Sequence, residues 1–131
     1  IRVNQWVNAY IANEGFVEGA SAKAMRYRSF IKGEDIKIFA DVHVKHGSHS
    51  IIADRSLEYQ TYDNVFFDAD VLIATGSRTG NETELAEIHG IKEHTQLPVI
   101  VGSGMTAENA EKIMSRWNLF ERRRKMVESD R

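Results

Sequence analysis

The stretch Lys37-Ile38-Phe39-Ala40-Asp41-Val42-His43-Val44-Lys45-His46 decides how the rest of the chain is read. With a period of two, Ile38, Ala40, Val42 and Val44 share one face, and Lys37, Phe39, Asp41, His43 and Lys45 share the other. Successive side chains of a β-strand point to opposite faces. The segment therefore reads as a strand with an apolar side that lies under helices and an opposite side that grows ionisable toward its C-terminal end. A barrel strand has this form, because its polar face points into a site at the strand's C-terminal mouth. An Asp, a His and a Lys set this close together are able to exchange protons or hold a charged ligand. Asp41, His43 and Lys45 are thus the catalytic candidates. The plainer alternative is a solvated edge-strand face or a structural ion pair.

Outward from this strand, strand-like and helix-like runs alternate. Ile1 to Trp6 places apolar Ile1 and Val3 between Arg2 and Asn4, and Ala20, Ala24, Tyr27 and Ile31 recur at helical spacing over 20–31. A helix is predicted from about Asp54, as its cap, to Phe67, with Leu57, Val65 and the aromatic residues available for packing. Val71 to Ala74 reads as a buried strand, and Asn81 to Thr95 as a helix with a Leu85, Ile88, Ile91 face. Pro98 to Val101 is the last clear strand, and Thr106 caps a helix from Ala107 to about Trp117. The residues between the first strand and the first helix, including Glu14-Gly15 and Glu18-Gly19, read as a long loop. Glu18 in it is an acid or base candidate, or more simply a surface carboxylate. Strands separated by helices of this length imply βαβ units, parallel strands and right-handed crossovers. The loops after the strands are rich in Gly, Ser, Thr and His, which places function at the C-terminal strand ends, in a barrel and an open α/β sheet alike.

The bulk properties set limits. A chain of 131 residues, 42% hydrophobic and 27% charged, has the composition of one compact domain. A formal net charge of −2 gives no general attraction to nucleic acid, and no apolar run approaches the roughly 20 residues of a bilayer-spanning helix. Nucleic-acid binding and membrane insertion are therefore not expected. The absence of cysteine excludes disulfides and thiolate metal sites. The chain opens on Ile1 within a strand-like run, which places the natural N-terminus upstream and leaves a cytoplasmic and an organellar location both open.

A second site candidate is Gly102-Ser103-Gly104-Met105-Thr106. Two glycines allow close backbone approach, and the N–H groups at the start of the following helix face the same spot, which is phosphate-binding physics. It is also an ordinary strand-to-helix turn. Thr75-Gly76-Ser77-Arg78-Thr79-Gly80 is a similar loop with Arg78 as an anion contact, and Asn4 projects from the first strand on its polar side with Arg2. The ligand-binding candidates are thus Asn4, Arg78, Gly102, Ser103, Gly104 and Thr106. His46 and His49, with Asp41 and His43, are ligand types that suit a divalent metal, though their spacing is not a zinc signature. Beyond Trp117 the pattern ends, and residues 118–131 carry the basic run Arg122-Arg123-Arg124-Lys125, read as a solvated tail or frayed helix.

Ile1-Arg2-Val3-Asn4, Glu18-Gly19, Arg26-Tyr27-Arg28, the 37–46 run, Asp54-Arg55-Ser56, the 75–80 loop and Val101-Gly102-Ser103-Gly104-Met105-Thr106 together resemble the BtpA/SgcQ family. The resemblance runs from Ile1 to about Ile113, and the 37–46 run is its most specific part. It implies a TIM (β/α)8 barrel of the ribulose-phosphate-binding type. It also implies either an enzyme on a phosphorylated sugar or nucleoside-like molecule, or a factor in photosystem I biogenesis. A full barrel needs about 250 residues. The resemblance therefore implies α/β architecture of about strands four to seven with their helices over residues 1–117, and a divergent tail over 118–131. The family continues after the last helix with a strand that completes the phosphate site, and 118–131 does not match it. Half a barrel exposes two sheet edges, so the expectation is self-association through them, or an inactive fragment of the full barrel.

Overall fold

The computed structural model of the chain describes residues 1–75 and 82–115. β1 (Arg2–Val3) leads into a hairpin of β2 (Ala9–Ala12) and β3 (Gly15–Glu18), followed by α1 (Ser21–Phe30). β4 (Phe39–Asp41), a 3₁₀ turn (Ser50–Ile52), α2 (Leu57–Phe66), β5 (Val71–Ala74), α3 (Glu82–Glu93) and β6 (Val99–Val101) follow. Residues 107–115 form a last helix, α4. β1, β4, β5 and β6 make one sheet in that order, all neighbours parallel. This is the mixed α/β architecture with a parallel sheet that the alternation of elements predicts, consistent with part of an α/β barrel.

The register fixes which residues share a face. Arg2 lies opposite Phe39, Asp41 opposite Ile73, and Ile73 opposite Ile100. Arg2, Phe39, Asp41, Ile73 and Ile100 therefore occupy one side of the sheet, and Val3, Ala40, Leu72, Ala74 and Val99 the other. The second side is the core. Ile38, Ala40, Val42, Leu72 and Ala74 are buried beneath Leu85, Ile88 and Ile91 of α3, Ile113 of α4, and Trp6, whose Nε1 donates to the Phe67 carbonyl at 2.9 Å.

Four local differences from the sequence reading have physical causes. The ladder of the 37–45 segment is shorter than its alternation suggests. The Val42 amide still donates to Ile73 O (3.1 Å), but β5 ends at Ala74, and the His43 carbonyl instead accepts from the Thr75 hydroxyl (2.8 Å). The presumed long loop is an antiparallel hairpin, with Ala12 opposite Gly15 around Asn13–Glu14 and Gly15 at φ +113°. Ile11 and Ser48 exchange backbone bonds of 3.0 and 2.8 Å, fastening this hairpin to the loop after β4. The cap of α2 is Ser56, whose hydroxyl accepts from the Tyr59 amide at 3.2 Å, not Asp54; residues 50–53 are taken by the 3₁₀ turn. Finally, α2 turns Leu57, Gln60, Thr61 and Asn64 inward and leaves Val65 and its aromatics outside. The buried polar groups are tied back to their own helix, Thr61 Oγ1 to Leu57 O and Asn64 Nδ2 to Gln60 O, each at 2.8 Å.

Leu72, fully buried at the sheet centre, sets the test of this core. Leu72→Ala is expected to cost about 2–5 kcal/mol in a urea unfolding series. Ile51→Ala, in an exposed turn residue, is expected to stay within about 0.5 kcal/mol.

Candidate functional site

The ends of the four parallel strands converge on a cavity of about 290 Å³. Arg2 and Asn4 reach it from β1, Asp41 from the last position of β4, and Lys45 and His46 from the loop beyond. Thr75 after β5, and Gly102 and Ser103 after β6, complete the wall. Arg2 Nε and Nη2 donate to the two carboxylate oxygens of Asp41 at 3.0 Å each. Asp41 is buried at the end of the central strand, and this bidentate pair supplies the donors its charge requires. Its hydrogen bonds to Asp41 raise the Arg2 pKa, against the opposing effect of desolvation. Lys45 Nζ donates to the Thr75 carbonyl at 3.1 Å and to Ser103 Oγ at 3.0 Å, joining the loops that follow β4, β5 and β6.

His43 stands apart from Asp41 and Lys45. Once the ladder ends, its side chain leaves the alternating pattern, and Nδ1 lies 2.9 Å from Gln60 Oε1 of α2. It lines a separate cavity of about 410 Å³ with Leu57, Gln60, Ala86 and Glu87. Its ring stacks on His49 with centroids 3.9 Å apart, and His49 stacks in turn on Tyr10 of the hairpin at 5.3 Å. His49 Nε2 donates to the Val44 carbonyl. Burial pushes the His49 pKa below 6.5, the Val44 bond acts in the opposite sense, and the charge of His43 lowers it further. A Cβ on Gly47 would lie 2.4 Å from the Tyr10 ring, so the loop passes the hairpin closely enough to require glycine there.

The remaining candidates are placed as follows. His46 is at the mouth while His49 is held in the stack, and among the described residues no three His, Asp or Glu side chains gather in a metal-binding arrangement. Glu18 is an exposed residue of β3, 4.0 Å from Lys23. Arg78 and the tail 118–131 lie outside the described residues. Space for a Cβ at Gly102 is taken by Ile73 Cγ2 at 2.4 Å and Arg2 Nη2 at 3.2 Å, so internal packing already demands this glycine. Gly104 adopts φ +77°. At the start of α4 the caps are reciprocal: the Thr106 amide donates to Asn109 Oδ1 (2.7 Å) and the Asn109 amide to Thr106 Oγ1 (3.3 Å). The Glu108 carboxyl is held below its usual range by hydrogen bonds from Thr106 and from its own backbone amide. The first-turn donors read as free for an anion are therefore partly engaged by the chain itself. Sequence reasoning missed the pairing of Arg2 with Asp41. Its signal was the shared face of two adjacent parallel strands, visible only once the register is known.

A four-stranded parallel sheet with helices between its strands defines the class of this protein, mixed α/β and consistent with part of an α/β barrel. The model of the BtpA family matches residues 1–120, and the chain belongs to that family. It is 37% identical over 114 residues to an uncharacterised mitochondrial protein of Caenorhabditis elegans, covering 87% of this chain and 41% of that protein. An uncharacterised protein of Archaeoglobus fulgidus is 36% identical over 121 residues, 87% of this chain and 44% of its own length. The photosystem I biogenesis protein BtpA of Synechocystis is 28% identical over 120 residues, 90% of this chain and 41% of that protein. The chain thus spans less than half the length of these relatives. No solved structure matches. Among the described residues no helix is long and apolar enough to cross a membrane.

Two outcomes follow from this geometry. Because the His49 pKa is lower folded than unfolded, the unfolded chain binds more protons as pH falls below about 6.5. Stability should therefore be complete above that pH and decline below it, and His49→Gln should flatten the decline in urea midpoints measured at pH 7.5 and 5.5. Gly102→Ala should cost about 1–3 kcal/mol through overpacking against Ile73, read as a lower thermal midpoint.

Proposed function

We propose that the chain supplies about strands four to seven of a (β/α)8 barrel. In this reading its mouth binds the phosphate of a phosphorylated sugar or nucleoside-like small molecule. The observation that carries it is the charge of the mouth. Arg2 and Lys45 face it as cations and His46 adds an imidazole, while among the described lining residues the one carboxylate, Asp41, is paired with Arg2. Two cationic side chains on one cavity, in a chain of net charge −2, support an anion as the ligand. Lys45 serves as the charge anchor, with Ser103 and the Gly102–Gly104 backbone as the cradle. Asn4 orients the rest of the ligand, and Thr106 follows the cradle at the start of α4. Asp41 and His43 are the acid–base candidates, but the first is engaged by Arg2 and the second is stacked away from the mouth. Binding is thus the part of the reading with the firmest support, and no reaction is assigned.

The outer edges of β1 and β6 pair with nothing among the described residues, and strands added there, from another segment or another chain, would extend the sheet toward a closed barrel. The mitochondrial relative supports an organellar setting. Carrying over the name of the Synechocystis relative gives a second reading, an assembly or stability factor for a membrane-protein complex.

Thermal melts separate the two. Ribose 5-phosphate at about 100 times its Kd should stabilise the chain by roughly 2.7 kcal/mol, ribose should not, and Lys45→Ala should remove the effect. Equal midpoints with and without the phosphorylated sugar would count against the small-molecule reading.

A further inference from the structure

The outer surface of α2 carries an aromatic stripe, Tyr59, Tyr62 and Phe66, at i, i+3 and i+7. Phe66 is 80% exposed, and Phe30 at the matching last position of α1 is 82% exposed, with Tyr27 paired to it at 6.4 Å between ring centroids. Exposed aromatic groups of this size on the outer faces of α1 and α2 mark an interaction site. Closure of a barrel does not cover it. The inner face of α2 lies on the sheet, α3 packs beside it, and further strands add at the edges of β1 and β6, leaving the outward stripe bare.

The charges on the two helices are complementary. α1 carries Lys23, Arg26 and Arg28 and no acidic residue, whereas α2 carries Glu58 and Asp63 and no basic one. Arg28 donates to the Ile36 carbonyl and Asp63 is held by Arg55. Arg26 in α1 and Glu58 in the first turn of α2 are therefore the charges placed to meet a partner, with Lys23, 4.0 Å from Glu18, beside Arg26. Glu58 is exposed, 3.8 Å from His94 and hydrogen-bonded by Tyr62 of its own helix. α1 and α2 are successive crossovers between parallel neighbouring strands, so they run side by side in the same direction.

We propose that the outward faces of α1 and α2 form a two-fold interface with a second copy of this chain. A two-fold axis along the helix direction lays α1 of one copy parallel on α2 of the other. The basic first half of α1 then meets Glu58, and Tyr27 and Phe30 meet Tyr62 and Phe66, each contact occurring twice. A second copy is the favoured occupant because both complementary halves are on one chain at matching heights.

Sedimentation equilibrium of the full chain tests this. The wild type should dimerise, and Phe66→Asp and Phe30→Asp should each weaken dimerisation by about tenfold or more. Both positions are exposed, so far-UV circular dichroism should be unchanged. Arg26→Glu should weaken the dimer and the double variant Arg26→Glu with Glu58→Arg should restore it, a response that pairing through sheet edges would not give. A monomeric wild type, or a dimer indifferent to both Asp variants and to the charge exchange, overturns the proposal. So does a monomer that instead cosediments through Phe66 with phosphatidylcholine–phosphatidylglycerol vesicles.

Discussion

Asp41 is a carboxylate at the end of a central parallel strand, with 4% of its surface exposed, and a charge in that position must be paired. Arg2 meets the requirement through two bonds of 3.0 Å from the neighbouring strand. β1 contributes only two residues to the ladder, so this side-chain pair is a principal tie between it and β4. Removing Arg2 leaves the buried Asp41 carboxylate without its bidentate donor, whereas Arg2 itself is about half exposed. The same pair sets the electrostatics of the mouth. Lys45 brings a second cation to the same mouth.

Lys45 depends on a second constraint, the end of the ladder. If β4 ran on to Lys45, then Asp41, His43 and Lys45 would project in one row. Because β5 stops at Ala74, the chain bends and the three separate, His43 to α2 and Lys45 across to Thr75 and Ser103. The bend is held from outside by the hairpin, through the Ile11–Ser48 backbone pair and the Tyr10–His49–His43 stack. The hairpin thus positions the loop that bears the cation.

Much of the fold was legible in residue periodicity. Val71–Ala74 and the Leu85, Ile88, Ile91 face appear where the pattern places them, since both are long apolar signals set by burial. The hairpin was not, because Ala9 to Glu18 is short and its turn, Asn13–Glu14 before Gly15, lacks the usual Asn-Gly signature. The inward face of α2 was misread because Gln60, Thr61 and Asn64 are polar and are buried through bonds to their own helix, the preceding loop and His43. The site residues could be named singly from the sequence. Their grouping could not, since it follows from the parallel register and from where a neighbouring strand ends. The reading of Gly102 as room for a ligand likewise needed the positions of Ile73 and Arg2 to show that packing already claims that space.

The central claim is an anion site between the β4 and β6 loops, and amide chemical-shift mapping with ribose 5-phosphate tests it most directly. The account predicts saturable shifts concentrated at Lys45, His46, Gly102 and Ser103, weakened by added salt. Shifts confined to the exposed cations Lys23 and Lys32, or no saturable shift at all, would contradict it.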